Sequence, residues 1–151
     1  MKRSVVLICI ILILSLAGCG NSKNEFQIGE KSNFVISEKG VSLSIKEDTL
    51  SRSGATLVLK NENDQPVEYG DVSYALEIKQ DGEWHRINVE LFFADSAYVL
   101  KGNETVELDT KWEEAYGKLA KGEYRIVKDI YTQKSDGTYE KFYVAAEFSM
   151  K

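Results

Sequence analysis

Cys19 is the residue of this chain best placed for covalent chemistry. It follows Leu16-Ala17-Gly18, where two small side chains let the backbone enter a narrow peptidase cleft, and its thiol, once ionised, is a nucleophile open to alkylation. Other reactive types are scattered. His85 is the only histidine. Imidazole catalysis needs a nucleophile and an orienting carboxylate beside it, whereas His85 follows Trp84 in an alternating run that reads as a surface strand. Glu113 and Glu114 are adjacent carboxylates, and adjacent residues rarely converge on one glycosidic bond; they read as solvated acids in a connecting turn. Asp64, Asp71, Asp81, Asp95, Asp109 and Asp136 never take the alternating oxygen-ligand spacing of a calcium loop. The expectation is a chain with no catalytic residues, no metal and no cofactor.

The residues before Cys19 complete its context. Lys2 and Arg3 give a basic n-region, and Val5 to Leu16 form an apolar stretch broken only by Ser15, the pattern of a signal peptide over residues 1–18. About twelve apolar residues are too few for a helix that must cross roughly 30 Å of hydrocarbon. With Leu16-Ala17-Gly18-Cys19 directly behind it, the segment resembles the bacterial lipoprotein signal. That resemblance implies diacylglyceryl transfer to Cys19, cleavage between Gly18 and Cys19, and palmitate-type acyl chains holding the protein to the extracytoplasmic face of the cell membrane. Each buried methylene contributes about 0.8 kcal/mol, so two chains anchor stably where one is marginal.

Composition narrows the partners. Of 151 residues, cleavage after Gly18 leaves 133, the size of one domain with a core of its own. The 19 basic residues less Lys2 and Arg3 leave 17 against 24 acidic ones, a formal charge of −7 without long like-charge runs. Nucleic-acid binding rests on cations that neutralise phosphates, and surface binding to anionic lipid rests on polybasic segments; neither fits. Cys9 leaves with the signal peptide and Cys19 is committed to lipid, so the folded part has no disulfide and no thiolate ligand.

The folded part follows from periodicity. Residues 19–34, the candidate lipidated cysteine and the Asn-, Ser-, Lys- and Gly-rich stretch after it, read as a flexible tether; fourteen such residues reach roughly 20 Å. From residue 35 to 151 the dominant period is two, which sends alternate side chains to opposite sheet faces. Val41, Leu43 and Ile45 form one apolar row, Ala55, Leu57 and Leu59 a second, and Val72, Tyr74, Leu76 and Ile78 a third. Ile87, Val89 and Leu91 follow after Asp81-Gly82, a hairpin signal because both central turn residues need positive φ. Val106, Leu108 and Trp112 make another row, then Tyr124 to Tyr131, and finally Phe142, Val144, Ala146 and Phe148 across a second Asp-Gly at Asp136-Gly137. Glu113 to Ala120 lacks period two and predicts one helical turn. About seven short strands with regular turns predict an all-β sandwich, with a small closed barrel as the rival.

Gly122-Glu123-Tyr124-Arg125 places a Tyr at the start of a strand, where immunoglobulin-like sandwiches build the tyrosine corner by bonding its hydroxyl back to nearby backbone. Ile126 stands where antibody domains carry a disulfide cysteine. Together with Tyr69-Gly70, Asp81-Gly82-Glu83-Trp84, Trp112 and Tyr116-Gly117-Lys118-Leu119, the pattern resembles a bacterial immunoglobulin-like domain family of envelope lipoproteins, of Gram-positive type. The resemblance covers roughly Val41 to Phe148 and implies an immunoglobulin-like fold and an envelope location. The expected function is a lipid-anchored, non-catalytic binding or accessory module for an envelope protein or polymer, with a structural subunit of an envelope assembly as the alternative and a small envelope hydrolase as the remotest one.

One segment departs from alternation. Leu91-Phe92-Phe93-Ala94-Asp95-Ser96-Ala97-Tyr98 crowds Phe92, Phe93 and Tyr98 into seven residues, either as a recognition loop rich in hot-spot residue types or as a flap over the open end of the core. Replacing Phe92 and Phe93 by Ser separates the two by melting curves and partner binding. A recognition loop loses its partner at an unchanged melting temperature; a core flap loses several degrees.

Overall fold

The computed structural model describes residues 26–70, 73–89 and 96–151. Gly18, Cys19, Phe92 and Phe93 lie outside them.

Two sheets face each other across the apolar rows. The smaller has β3 (Gly54–Asn61) in the middle, with β2 (Val41–Ile45) on one side and β8 (Thr105–Lys111) on the other, all antiparallel. The larger is built on β9 (Gly122–Gln133) and β10 (Tyr139–Met150), which pair without a break from Tyr139↔Gln133 to Met150↔Gly122. The other edge of β9 is shared by β5 (Ala75–Gln80) along Ala75↔Val127 to Ile78↔Tyr124, and by β4 (Val67–Gly70) at Glu68↔Tyr131 and Tyr69↔Ile130. Outside β5 lie β6 (Glu83–Asn88) and then β1 (Gln27–Lys31); outside β4 lies β7 (Ala97–Leu100).

The described residues form ten strands where about seven were expected, and the extra ones have physical reasons. Strand β4, only four residues long, lies ahead of the run expected from Val72 to Ile78, and β5 starts inside that run at Ala75. Strand β7 carries three exposed residues in succession, so no alternation betrays it. Strand β1 falls inside the expected tether, which therefore does not extend to residue 34. Its polar Gln27, Glu30 and Lys31 read as linker, yet its backbone pairs with β6 and the preceding Phe26 packs edge-on to Tyr124 at 6.5 Å.

The core sits where the periodicity places it. Leu57, Leu59, Leu76, Ile126, Ile130 and Val144 are essentially inaccessible, as is Trp112. Trp112 lies one residue past β8, at the start of the single helical turn α1 (Glu113–Tyr116), rather than on the strand. Its indole N–H donates to the Arg52 carbonyl at 2.8 Å, and its ring stacks on Phe148 at 5.5 Å, which in turn stacks on Tyr124 at 5.7 Å. The Tyr124 hydroxyl donates to the Ala120 carbonyl at 3.0 Å, the expected corner, and Ile126 fills the space between sheets.

Both Asp-Gly turns join strands, by different geometries. At Asp81-Gly82 both residues have positive φ, 51° and 83°, as the two-residue hairpin requires. At Asp136-Gly137 only Gly137 does, and a longer loop closes through Lys134 N–H to Thr138 O at 2.7 Å, with Asp136 accepting from Thr138.

After β1 the chain crosses the outer face of the large sheet. Ser32 N–H bonds to Trp84 O on β6, Phe34 lies against Arg86 of β6 and against Tyr143 of β10 at 4.8 Å, and Ser37 N–H bonds to Tyr143 O at the opposite edge. This strap then turns at Lys39 and Gly40, both at positive φ, into β2 of the other sheet.

Replacing Tyr124 by Phe keeps the ring stack and removes the buried hydroxyl's bond to the Ala120 carbonyl. The expected cost is about 1–2 kcal/mol, seen in thermal melts as a midpoint lowered by roughly 3–10 °C.

Candidate functional site

Two places on the large sheet gather polar and aromatic side chains. The first is a hollow on its outer face beside β7. Register rows put Val99, Glu68, Tyr131 and Lys141 in one line, and Ala97, Gly70, Asp129 and Tyr143 in the next. Ala97 and Gly70 have almost no side chain, so the second row sinks into a depression of about 380 Å³ walled by Glu68, Asp129, Tyr131 and Tyr139. The Tyr139 hydroxyl donates to Glu68 at 2.9 Å, and the ring stays half exposed. Burial opposes the charge on Asp129, but hydrogen bonds from Lys141 and Tyr131 outweigh it and hold the carboxyl below its ordinary range. Lys141 reaches Asp129 at 2.9 Å and lies over the rings of Tyr131 and Tyr143. The wall thus offers aromatic faces and carboxylates in fixed orientations.

Tyr98 belongs to the same end of the sheet. It opposes Tyr69 across β7 and β4, stacks on it at 5.9 Å, and keeps 46% of its surface exposed; the neighbouring Val99 keeps 62%. Of the three aromatic residues expected to line a binding loop, Tyr98 is therefore a strand residue, while Phe92 and Phe93 lie outside the described residues.

The second place lies under the strap. Glu77 and Arg125 are cross-strand partners on the outer face, and both are buried. The guanidinium donates to Glu77 at 2.6 Å and to the Ser32 hydroxyl of the strap at 3.2 Å, and it lies over the Trp84 ring at 4.7 Å. The other Glu77 oxygen has no hydrogen-bond partner among the described residues. Lys128 is a further buried cation, in line with Tyr124, Ile126 and Ile130 on the core-facing row. Its ammonium donates to Gly70 O at 2.6 Å and Ser73 O at 2.8 Å, supplying donors where the chain breaks between β4 and β5. Nothing in the apolar alternation announces these groups except the misfit charges themselves.

The residues weighed for catalysis stay apart. His85, half-buried on β6, has its Nδ1 3.3 Å from the Gly29 carbonyl. Glu113 and Glu114 are exposed on α1 beside a shallow hydroxyl-lined groove. A hydrogen bond from Ser53 and the nearby Lys118 hold the Glu113 carboxyl below its ordinary range, which makes it a poorer base for that hydroxyl. Asp64 and Asp109 accept from Asn103 and Thr56, far from one another. Among the described residues no three His, Cys, Asp or Glu side chains gather to hold a metal ion. Tyr74 and Tyr116 stack at 5.9 Å, and burial pushes the Tyr116 phenol up to about 12.

Two facing antiparallel sheets, a tyrosine corner and an inter-sheet aromatic stack define an immunoglobulin-like sandwich. Residues 37–149 match the bacterial Ig-like domain family, and the chain belongs to that family. Comparison with curated proteins and with solved structures returns no match. The matched span begins where the strap ends, so β1 and the strap precede it.

Breaking the buried pair by Arg125→Ala strands the Glu77 charge and is expected to cost about 3–5 kcal/mol, whereas the double variant Glu77→Leu, Arg125→Met restores stability to within about 1 kcal/mol. Urea unfolding of the wild type and the two variants measures both. Equal loss in the single and double variants would mean that the pair holds the strap by shape alone.

Proposed function

We propose that this chain is a lipid-anchored binding or accessory module of the bacterial envelope, without catalytic activity, held through Cys19 on the extracytoplasmic face of the cell membrane. The lipobox-like Leu16-Ala17-Gly18-Cys19 behind a short apolar stretch supports the anchor. The family supports the module. Its ligand surface is the outer face of the large sheet at β4, β7 and β9, and the ligand is an envelope protein or polymer. The observation that carries this reading is the half-exposed Tyr139 ring on a hollow walled by Glu68, Asp129 and Tyr131, with exposed Val99 next to Glu68 in its outer row. Half-exposed aromatic rings beside oriented carboxylates are the composition of a recognition surface.

Metabolic labelling with a palmitate analogue tests the anchor. The wild-type chain is expected to carry label and to sediment with membranes, and Cys19→Ala to lose both. Label that persists in Cys19→Ala overturns the anchor and leaves the hollow to be judged on binding alone.

A further inference from the structure

Among the described residues, nothing guards one edge of the large sheet. Exposed edge strands present unpaired N–H and C=O groups, and proteins blunt them with charges, bulges or covering segments. Here β1 carries Glu30 and Lys31 and an irregular register between Ile28 and Lys31, while the free side of β10 is met by the strap at Ile36↔Tyr143. Strand β7 has none of these devices. Ser96-Ala97-Tyr98-Val99-Leu100 has no charge, no proline and no glycine. It pairs with β4 on one side and, among the described residues, with no strand on the other.

From this edge we infer that β7 is the docking edge for an extended segment of a partner protein, which adds to the sheet as a further antiparallel or parallel strand and carries a basic side chain over Val99 toward Glu68. The inference rests on the hollow being the ligand surface and names the class of ligand that surface takes. Backbone pairing along Ala97–Leu100 supplies the affinity, and alternate side chains supply the selectivity. A residue of the added strand opposite Val99 stands in one row with Val99 and Glu68. Adjacent strands lie about 4.8 Å apart, so a long aliphatic stem reaches across exposed Val99 and brings its cationic head to the Glu68 carboxylate. That carboxylate accepts from the neutral Tyr139 hydroxyl, whereas Asp129 is already matched by Lys141 and Glu104 by Lys101. In the next row Ala97 and Gly70 leave the hollow open for a second side chain. A second copy of this chain fits less well, because pairing centred on Val99 would set Glu68 in the same row as its own counterpart, between two chains of like negative charge.

Photocrosslinking in the producing cells tests the proposal on the full-length chain, with a benzophenone amino acid at position 99 for the edge and, separately, at position 139 for the hollow. The expected result is an adduct at position 99 with a segment of another protein that alternates apolar residues and contains Lys or Arg. Its yield should fall roughly five- to tenfold with Glu68→Lys, as reversal of a partly exposed charge contact predicts. A synthetic peptide of the captured sequence should then slow amide hydrogen exchange at Ala97–Leu100. Adducts at 139 without any at 99 keep the hollow as the ligand surface and overturn strand addition. Adducts at neither position overturn both readings. Self-adducts alone at 99, or a yield indifferent to Glu68→Lys, overturn the basic partner.

Discussion

The unbroken pairing of β9 with β10 fixes everything built on the large sheet. In this ladder Tyr124, Ile126, Lys128 and Ile130 share one face with Phe148, Ala146, Val144 and Phe142. Because side chains alternate, a slip of one residue would turn the apolar row outward and send Arg125 and Asp129 into the space between sheets. The corner bond of Tyr124 and the stacked rings of Trp112 and Phe148 hold one end of the register, and the Asp136-Gly137 turn holds the other. Strands β4 and β5 then inherit their positions from the free side of β9.

The buried charges belong to the same constraint. Glu77 and Arg125 face each other because β5 and β9 are in register, and both lose water because the strap runs over them. Desolvating two charges offsets most of what their attraction contributes. The pair therefore acts more as a specification of where the strap must lie than as a source of stability. Lys128 plays a comparable part at the break between β4 and β5, where its ammonium occupies two carbonyls that a continuous strand would have paired otherwise.

Much of this was legible in the residues. Alternation located the cores of β2, β3, β9 and β10 and most of β5, β6 and β8, since each buries one face and wets the other. Gly122-Glu123-Tyr124 pointed to the corner, and Asp81-Gly82 to its turn. Of the missed elements, β4 alternates but spans only four residues, while β1 and β7 lack the property that alternation measures. Strand β1 is exposed on nearly every residue and β7 on three of four, so their place in the sheet comes from backbone pairing, which leaves no hydropathy trace. The hollow was invisible for a related reason, because it exists through the small size of Gly70 and Ala97, residues far apart in the chain and joined only by register. Tyr98 was singled out for its aromatic neighbours, and the structure gives it a strand instead.

The strap has a mechanical meaning. Any pull on the chain from the side of residue 26 meets β1 before it meets the core, and passes through the Ser32 bonds to Trp84 and Arg125 and on to Tyr143. The load is thereby shared among β6, β9 and β10, from one rim of the sheet to the other, and does not fall on a single ladder. If β1 and the strap were to let go together, eleven residues would pay out about 35–40 Å of chain ahead of the segment that matches the family.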